Sequence, residues 1–166
     1  MSSLTAKDRL IVALDMPTIE EAQRLIARLG NEVTFYKVGL ELLFCGGLEL
    51  ARALKAEGKR VFLDMKLLDI GNTVERAVAN ATELGVDFLT VHGHDLKTLR
   101  AAVSGRGNSK LKLLAVTVLT NLTADDLGSA IVLILNAAWF DTLVATDGFC
   151  RAPGGSRRLD PPYKSP

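Results

Sequence analysis

Residues 61–73 read VFLDMKLLDIGNT, and this stretch decides both the fold and the position of the site. It opens with the β-branched and apolar residues that are typical of a buried strand, and Gly71 near its end favours a turn. Between them lie Asp64, Lys66 and Asp69, three charged residues that a plain core strand would leave out. The stretch is therefore either an irregular strand end or part of an active site.

Apolar runs of this kind recur at intervals of roughly 25 residues along the first part of the chain. They are IVALD (11–15), FYKVG (35–39), VFLDM (61–65), FLTVH (88–92) and LLAVTVL (113–119). Because segments with helical periodicity separate them, the pattern predicts βαβ units and a parallel sheet. The runs are almost continuously apolar, as strands that are covered on both faces should be.

The helical segments between these strands carry recognisable ends. Thr18 can cap the first helix together with Glu21, and Gly30 follows as a stop signal. For the helix after the third strand, Asn72 is the predicted N-cap and Glu75 its capping-box partner. The residues expected on the buried helix faces are Ala22, Leu25, Ile26 and Leu29, followed by Val74, Ala77, Val78, Ala81 and Leu84.

The length limits the architecture that these units can build. Five units fill about the first 119 of the 166 residues. A complete (β/α)8 barrel needs about 200 residues at this repeat and typically reaches about 250. The sequence therefore predicts an α/β protein in which either the sheet is open or the barrel is incomplete.

The composition excludes several classes of protein. With 48% hydrophobic and 23% charged residues it is typical of a soluble globular domain, and the net charge of +1 does not indicate nucleic acid or an anionic membrane as partner. The charged N-terminus is unlike a secretion signal, and the longest apolar run, 130–140, is shorter than the roughly 20 residues that span a bilayer. Cys45 and Cys150 lack metal-ligand spacing, so we expect a reduced, cytoplasmic setting.

Polar residues follow the predicted strands at the point where each of them ends. They are Asp15, Lys37, Asp64, Lys66, His92, and Thr117 or Thr120. In parallel α/β folds the carboxyl ends of the strands meet at the edge where sites are built. Asp64 and Lys66 leave the same strand face, and a neighbouring strand about 4.8 Å away would place Lys37 beside them. With Asp69 in the following turn they form a Lys-Asp-Lys-Asp array without net charge.

Such an array suits decarboxylation without a metal or an organic cofactor. A carboxylate that faces a substrate carboxylate disfavours the ground state, and an adjacent ammonium can stabilise a developing carbanion and then protonate it. Two simpler interpretations stay open on spacing alone. Asp64 and Lys66 can form a solvated salt bridge, and residues 71–73 can serve only to cap a helix.

In their order and spacing, IVALD, FYKVGLEL, VFLDMKLLDIGNTV, FLTVHG and LLAVTVLTNL resemble the bacterial orotidine 5'-phosphate decarboxylase family. The resemblance runs from about Asp8 to about Leu127. Its most specific part is the D-x-K-x-x-D-I-x-x-T block preceded by a strand that ends in Lys-Val-Gly. The resemblance implies a (β/α)8 TIM barrel that works as a homodimer and makes UMP from orotidine 5'-phosphate in pyrimidine biosynthesis.

The resemblance also implies a role for each matching residue. Lys66 would be the proton donor to C6 of the pyrimidine, and Asp64 would press against the substrate carboxylate. Lys37 would hold the array and touch the ribose, whose hydroxyls Asp15 would bind. The remaining implied positions are Asp69 and Thr73, which would reach into the site of the partner subunit, and Thr120, which would lie in the ligand-binding shell.

One residue distinguishes this family from its relatives in the same superfamily. Sugar-phosphate decarboxylases and aldolases that use a divalent metal share the D-x-K-x-x-D block but carry an acid where Lys37 stands. Because an ammonium at that place would repel Mg²⁺, Lys37 favours the metal-free decarboxylase. A magnesium-dependent sugar-phosphate lyase is the weaker alternative.

The resemblance ends after about Leu127, so we divide the chain into a catalytic βα-repeat region, 1–127, and a divergent tail, 128–166. Complete family members continue with three more strands and a Pro-Gly-(Ile/Val)-Arg loop that grips the substrate phosphate. RAPGGSRR (151–158) contains Pro-Gly and arginines but follows no predicted strand, which favours a tail. A reading-frame shift or truncation near residue 127 would explain the change, and the other reading frames of the gene would test it. The alternative function is then an inactive, truncated remnant of the enzyme.

Overall fold

The computed structural model describes Thr5 and residues 7–119, in which strands and helices alternate as the sequence predicts. The elements are a 3-10 turn (Lys7–Arg9), β1 (Val12–Ala13), α1 (Ile19–Leu29), a second 3-10 turn (Gly30–Glu32), β2 (Phe35–Gly39), α2 (Leu40–Leu42), a π-type turn (Leu43–Gly47), α3 (Leu48–Ala56), β3 (Arg60–Leu67), α4 (Gly71–Glu83), β4 (Phe88–His92), α5 (Leu96–Arg106) and β5 (Lys112–Val116). None of these helices is long and apolar enough to cross a membrane.

The strands form one parallel sheet in the order β1-β2-β3-β4-β5. β2 and β3 are neighbours, as the predicted position of Lys37 requires, and Gly39 lies opposite Asp64 in their register. Within the described residues the sheet does not close into a barrel, because β1 and β5 each pair on one side only. The predicted α/β class and parallel order are confirmed, and the part of the fold that the structure describes is open.

One face of the sheet is covered by helices and forms the core. Side chains alternate along each strand, so every second residue packs against the apolar sides of the helices. We call this the helix face, and its central strand residues are Tyr36, Val38, Val61, Leu63, Leu89 and Val91. The residues that meet them from the helices include Ala22, Leu50, Leu54, Val74, Val78 and Ala101. Full burial of a valine or leucine contributes about 1.5–3 kcal/mol, so this face supplies most of the hydrophobic stabilisation.

The opposite face of the same strands carries the charged residues. We call it the site face, and its strand residues, aligned by the register, include Lys37, Phe62, Asp64, Phe88, Thr90 and Leu114. Toward the amino ends of the strands this face is aromatic. The Phe35 and Phe88 rings lie 5.3 Å apart, and the Arg60 guanidinium carbon lies 4.1 Å from the centre of the Phe35 ring. The charged residues of the site face lie at the other end, at the carboxyl edge, where the sequence predicts the site.

The bounds of most elements agree with the sequence pattern. β2 and β4 begin and end where FYKVG and FLTVH do, whereas β1 is limited to Val12–Ala13 and β5 ends at Val116, earlier than predicted. The cap of α1 is confirmed, because the Thr18 hydroxyl accepts a hydrogen bond from the Glu21 N–H at 3.3 Å. Gly30 follows that helix with a φ of 52°, a left-handed conformation that favours glycine.

The capping prediction for α4 is wrong. The N-cap is Ile70, and Asn72 lies inside the first turn of the helix. The helix begins two residues early, because the Ile70 carbonyl accepts the N–H groups of Thr73 and Val74 at 2.8 and 3.1 Å. Glu75, the expected capping partner, accepts a hydrogen bond from the Ser104 hydroxyl of α5 at 2.8 Å. The predicted buried stripe of α4 is nevertheless confirmed at Val74, Val78 and Ala81.

Candidate active site

Polar side chains from the first four strands of the sheet meet at the carboxyl edge of the site face. Asp15 follows β1, Lys37 lies in β2, Asp64 and Lys66 lie in β3, and Thr90 lies in β4. A continuous series of hydrogen bonds joins them from Asp15 to Thr90. We call these residues the site cluster, and it occupies the edge at which the sequence predicts a site.

Lys37 joins two strands that do not pair with each other. Its Nζ donates to Asp15 Oδ2 at 3.0 Å and to Asp64 Oδ2 at 3.3 Å. Gly39 leaves room for this contact, because a Cβ at position 39 would lie 2.9 Å from Asp15 Oδ1. One ammonium therefore bridges a carboxylate beside β1 and a carboxylate in β3.

Asp64 is the centre of the cluster, and its side chain is only 14% exposed. Its Oδ1 accepts from Lys66 Nζ at 2.8 Å and from Thr90 Oγ1 at 2.9 Å, while its Oδ2 accepts from Lys37. These donors satisfy both carboxylate oxygens, which makes the partial burial of the charge tolerable. Asp64 and Lys66 thus meet on one strand face, as their spacing predicts.

The backbone of β3 departs from regular strand geometry at Lys66. Leu89 and Val91 of β4 pair with β3 residues that are four apart, so residues 64–66 lie opposite the single residue Thr90. Lys66 has a φ of 50°, in the left-handed region that residues other than glycine rarely occupy. Bulges of this kind re-aim side chains next to active sites, and here the lysine ammonium ends beside the carboxylate.

The charges of the cluster hold one another in the ionised form. Burial alone would raise the pKa of Asp64, but hydrogen bonds from Lys66 and Thr90, with the charges of Lys66 and Lys37, outweigh burial and lower it. Burial would likewise lower the pKa of Lys37, but its hydrogen bonds and charge interactions with Asp15 and Asp64 raise it. Asp64 and Lys37 are therefore both charged at neutral pH.

His92 ends β4 beside the cluster. Its ring centre lies 4.9 Å from that of the exposed His94, in an edge-to-face arrangement. Burial, the neighbouring His94 and the charge of Lys66 all lower the pKa of His92 below its ordinary value. The imidazole is therefore neutral at neutral pH and adds no charge to the cluster.

Other predicted site residues lie away from this cluster. Asp69 is exposed after β3, and Thr73 is exposed in the first turn of α4. Within the described residues of one chain, the second carboxylate of the array is Asp15 and not Asp69. The implied reach of Asp69 and Thr73 into a partner subunit stays a prediction. Thr120 and the whole of the predicted tail, 128–166, lie outside the described residues.

Thr90 is the member of the cluster that the sequence analysis missed. Threonine is common in strands for its β-branched shape, so its presence in FLTVH carried no functional signal by itself. The alternation of that strand was the available signal, because Thr90 lies between the core residues Leu89 and Val91 and must face the other way. That face is the one on which Asp64 was already predicted.

Comparisons with known proteins find relatives of this chain in one family. The model of the family described as Orotidine 5'-phosphate decarboxylase / HUMPS matches residues 8–144. A protein of Rhodopseudomonas palustris named orotidine 5'-phosphate decarboxylase is 58% identical over 125 residues, 75% of this chain and 53% of that protein. One of the same name from Bradyrhizobium diazoefficiens is 55% identical over 129 residues, 78% of this chain and 54% of that protein. The chain spans about half the length of the curated relatives it matches.

Solved structures give the same result for the fold. The orotidine 5'-phosphate decarboxylase of Lactobacillus acidophilus matches with a TM-score of 0.65 and 36% identity, over 74% of this chain and 58% of that one. An uncharacterized conserved protein of Geobacillus kaustophilus matches with a TM-score of 0.66 and 34% identity, over 73% and 60%. The predicted TIM-barrel family is thereby confirmed. The division at residue 127 stays a prediction.

Proposed function

The chain belongs to the Orotidine 5'-phosphate decarboxylase / HUMPS family, and we propose that its site cluster converts orotidine 5'-phosphate to UMP and carbon dioxide. The observation that carries this proposal is the Lys66 ammonium, held 2.8 Å from the Asp64 carboxylate. A substrate carboxylate brought beside Asp64 would meet a like charge, and a proton donor would stand next to it.

In the proposed step the bond between C6 and the carboxylate carbon breaks, carbon dioxide leaves and the electron pair stays on C6. Lys66 stabilises that carbanion by its charge and then gives it a proton, so the step requires no metal and no organic cofactor. Because the pKa of Asp64 is lowered, this carboxylate is ionised at neutral pH. It repels the substrate carboxylate but not neutral carbon dioxide, and the relief of this repulsion favours the transition state over the ground state.

Asp15 and Lys37 are the proposed ribose-binding residues. The Asp15 side chain is 55% exposed at the edge of the cluster, which leaves it accessible to substrate hydroxyls. Lys37 fixes its orientation through the 3.0 Å hydrogen bond between them. The resemblance adds Thr120 to the ligand-binding shell.

We further propose that the chain works as a cytoplasmic homodimer in which Asp69 and Thr73 act in the site of the second copy. Both residues are exposed near the end of β3. The apolar side chains of Leu68 and Ile70 beside them are 49% and 78% exposed. The exposure of these two apolar side chains supports an interaction surface at this position. Sedimentation of the purified chain tests this, and a monomer at all accessible concentrations would contradict it.

A non-catalytic remnant is the second candidate, and one observation favours it. The resemblance assigns the phosphate grip to a loop that lies beyond the predicted catalytic region, 1–127, and RAPGGSRR in the tail does not match that loop. Binding energy from a remote phosphate helps to hold the reacting ring in place, so its loss would lower turnover as well as affinity.

A magnesium-dependent sugar-phosphate lyase has less support. Asp15 and Asp64 are the carboxylates of the cluster that could attract a divalent cation, but the Lys37 ammonium bonds to both of them. A positive charge at that place disfavours Mg²⁺, which binds to carboxylate oxygens.

Decarboxylation of orotidine 5'-phosphate by the purified chain, measured in the presence of EDTA, tests the proposal. Lys66→Ala should lower kcat by about 10³-fold, because it removes the general acid. Lys97→Ala is the matched control, since Lys97 is an exposed lysine of α5. Turnover that requires added Mg²⁺ would favour the lyase, and no turnover from a folded sample would favour the remnant.

A further inference from the structure

Thr90 lies where β3 departs from regular pairing with β4. Residues 64–66 of β3 lie opposite Thr90 alone. Among the residues that the structure describes, Lys66 is the only non-glycine residue with a positive φ, at 50°. Such a backbone conformation is unfavourable for lysine and persists only where neighbouring groups compensate for it.

The Thr90 hydroxyl bonds to both ends of this bulge. Its Oγ1 accepts from the backbone N–H of Lys66 at 2.9 Å and donates to Asp64 Oδ1 at 2.9 Å. A hydroxyl has one hydrogen, which goes to the carboxylate, and its lone pairs remain for the N–H, so both bonds can form at once. Thr90 is 4% exposed, and water therefore does not readily replace either partner.

We propose that Thr90 is a positioning residue whose hydroxyl holds the β3 bulge and so fixes the Lys66 ammonium relative to the Asp64 carboxylate. Its effect on catalysis rests on the proposed function, whereas its effect on the geometry of the cluster does not. Without the hydroxyl, the Lys66 N–H loses its partner and the left-handed backbone loses the hydrogen bond that compensates for it. The ammonium would then move relative to Asp64, and a displacement of about 1 Å can lower a rate by roughly 100-fold.

The alternative is that Thr90 only donates a hydrogen bond to a buried carboxylate. Thr98 is a threonine with that role and serves as the comparison. Thr98 is fully buried at the start of α5, and its hydroxyl donates to Asp95 Oδ2 at 2.6 Å. Both threonines are buried and both donate to an aspartate. Thr90 alone of the two also holds the backbone of a residue in the site cluster. Comparing substitutions at Thr90 and Thr98 therefore distinguishes a positioning role from a general contribution to stability.

The test compares Thr90→Val, Thr90→Ser and the control Thr98→Val in the full chain. NMR titration gives the pKa of the Asp64 carboxyl, and hydrogen exchange gives the protection of the Lys66 amide, so neither readout needs turnover. Thr90→Val should raise the pKa of Asp64, because a donor to its charged form is lost, and should speed exchange of the Lys66 amide by about 10-fold or more. It should also lower kcat more than it changes KM.

Thr90→Ser keeps the hydroxyl and should retain the wild-type values of all these quantities, and Thr98→Val should leave them unchanged. The proposal is overturned if Thr90→Val retains the wild-type Asp64 pKa and Lys66 exchange rate, or if Thr98→Val shifts them equally. If Thr90→Val does not fold, hydrogen exchange of the wild-type chain still tests the proposal. A wild-type Lys66 amide that exchanges as fast as the amides of exposed loops would overturn it. Absence of turnover in the wild type contradicts the proposed function alone, since the pKa and exchange measurements stand without it.

Discussion

Leu89 and Thr90 are consecutive residues of β4, yet one packs into the hydrophobic core and the other bonds to Asp64 and Lys66. The same contrast holds in β3 between Leu63 and Asp64. Because side chains alternate along a strand, each strand contributes to the helix face and to the site face at once. The helix face is apolar and covered, whereas the site face toward its carboxyl edge is charged and partly accessible.

The difference separates the groups that stabilise the fold from those that serve the proposed chemistry. Burial of apolar side chains on the helix face stabilises the fold roughly in proportion to the area removed from water. On the site face, the attraction between charges is largely offset by the cost of removing them from water. Substitutions on the helix face should therefore act mainly on stability, and those in the site cluster mainly on activity.

The same substitution on the two faces should give the largest contrast. Leu89 is 1% exposed on the helix face, whereas Leu114, opposite Thr90 on the site face, is 38% exposed. Leu89→Ala leaves a cavity and should lower the free energy of unfolding by about 2–5 kcal/mol. Leu114→Ala removes groups that already touch solvent and should cost less than about 1 kcal/mol. Urea denaturation measures both, and equal losses would mean that the site face is as well covered as the helix face.

The fold could be predicted from the sequence because its signals are local. FYKVG ends at Gly39 and FLTVH is followed by Gly93, and the strands β2 and β4 coincide with these two runs. The start of α4 could not be predicted in the same way. Asp69 and Asn72 are both good capping residues, and the sequence does not rank them. The structure makes neither of them the N-cap, because the helix begins after Ile70, whose carbonyl accepts the N–H groups of Thr73 and Val74.

The site could be predicted only as far as regular strand geometry extends. Strand order and alternation are enough to bring Lys37 beside Asp64. The bulge is different, because nothing in VFLDMKLL requires Lys66 to adopt a φ of 50°. Alternation alone would have placed Thr90 on the site face, but its hydrogen bond to the Lys66 N–H depends on the bulge and could not be predicted. A local sequence pattern does not show which residue from another strand will bond to the backbone of a site residue.

Glycine-to-alanine substitutions should repeat the contrast between the two sides of the sheet on a smaller scale. A Cβ on Gly105 of α5 would clash with the backbone carbonyl oxygen of Glu75 in α4, so the two helices would have to separate. We expect Gly105→Ala to cost about 1–3 kcal/mol, although alanine favours the helix. A Cβ on Gly39 would meet the Asp15 carboxylate, which can rotate away, so Gly39→Ala should cost less than about 0.5 kcal/mol. Thermal denaturation compares them, and a larger loss at Gly39 would contradict the proposed division.

The contribution of Asp64 to the dependence of stability on pH should give the smallest contrast, because it comes from a single carboxylate of the site face. The folded pKa of Asp64 is lowered, so its interactions stabilise the fold fully above the unfolded pKa of about 3.9 and are lost as the pH falls through the folded pKa. Asp64→Asn should therefore cost about 1 kcal/mol at neutral pH and progressively less in acid. Leu89→Ala should lower the free energy of unfolding by the same amount at every pH. Glu83→Gln, at an exposed carboxylate of α4, controls for the loss of one negative charge. Urea midpoints from about pH 6 downward measure these differences, and a cost of Asp64→Asn that stays constant in acid would assign the stabilisation to packing and not to charge.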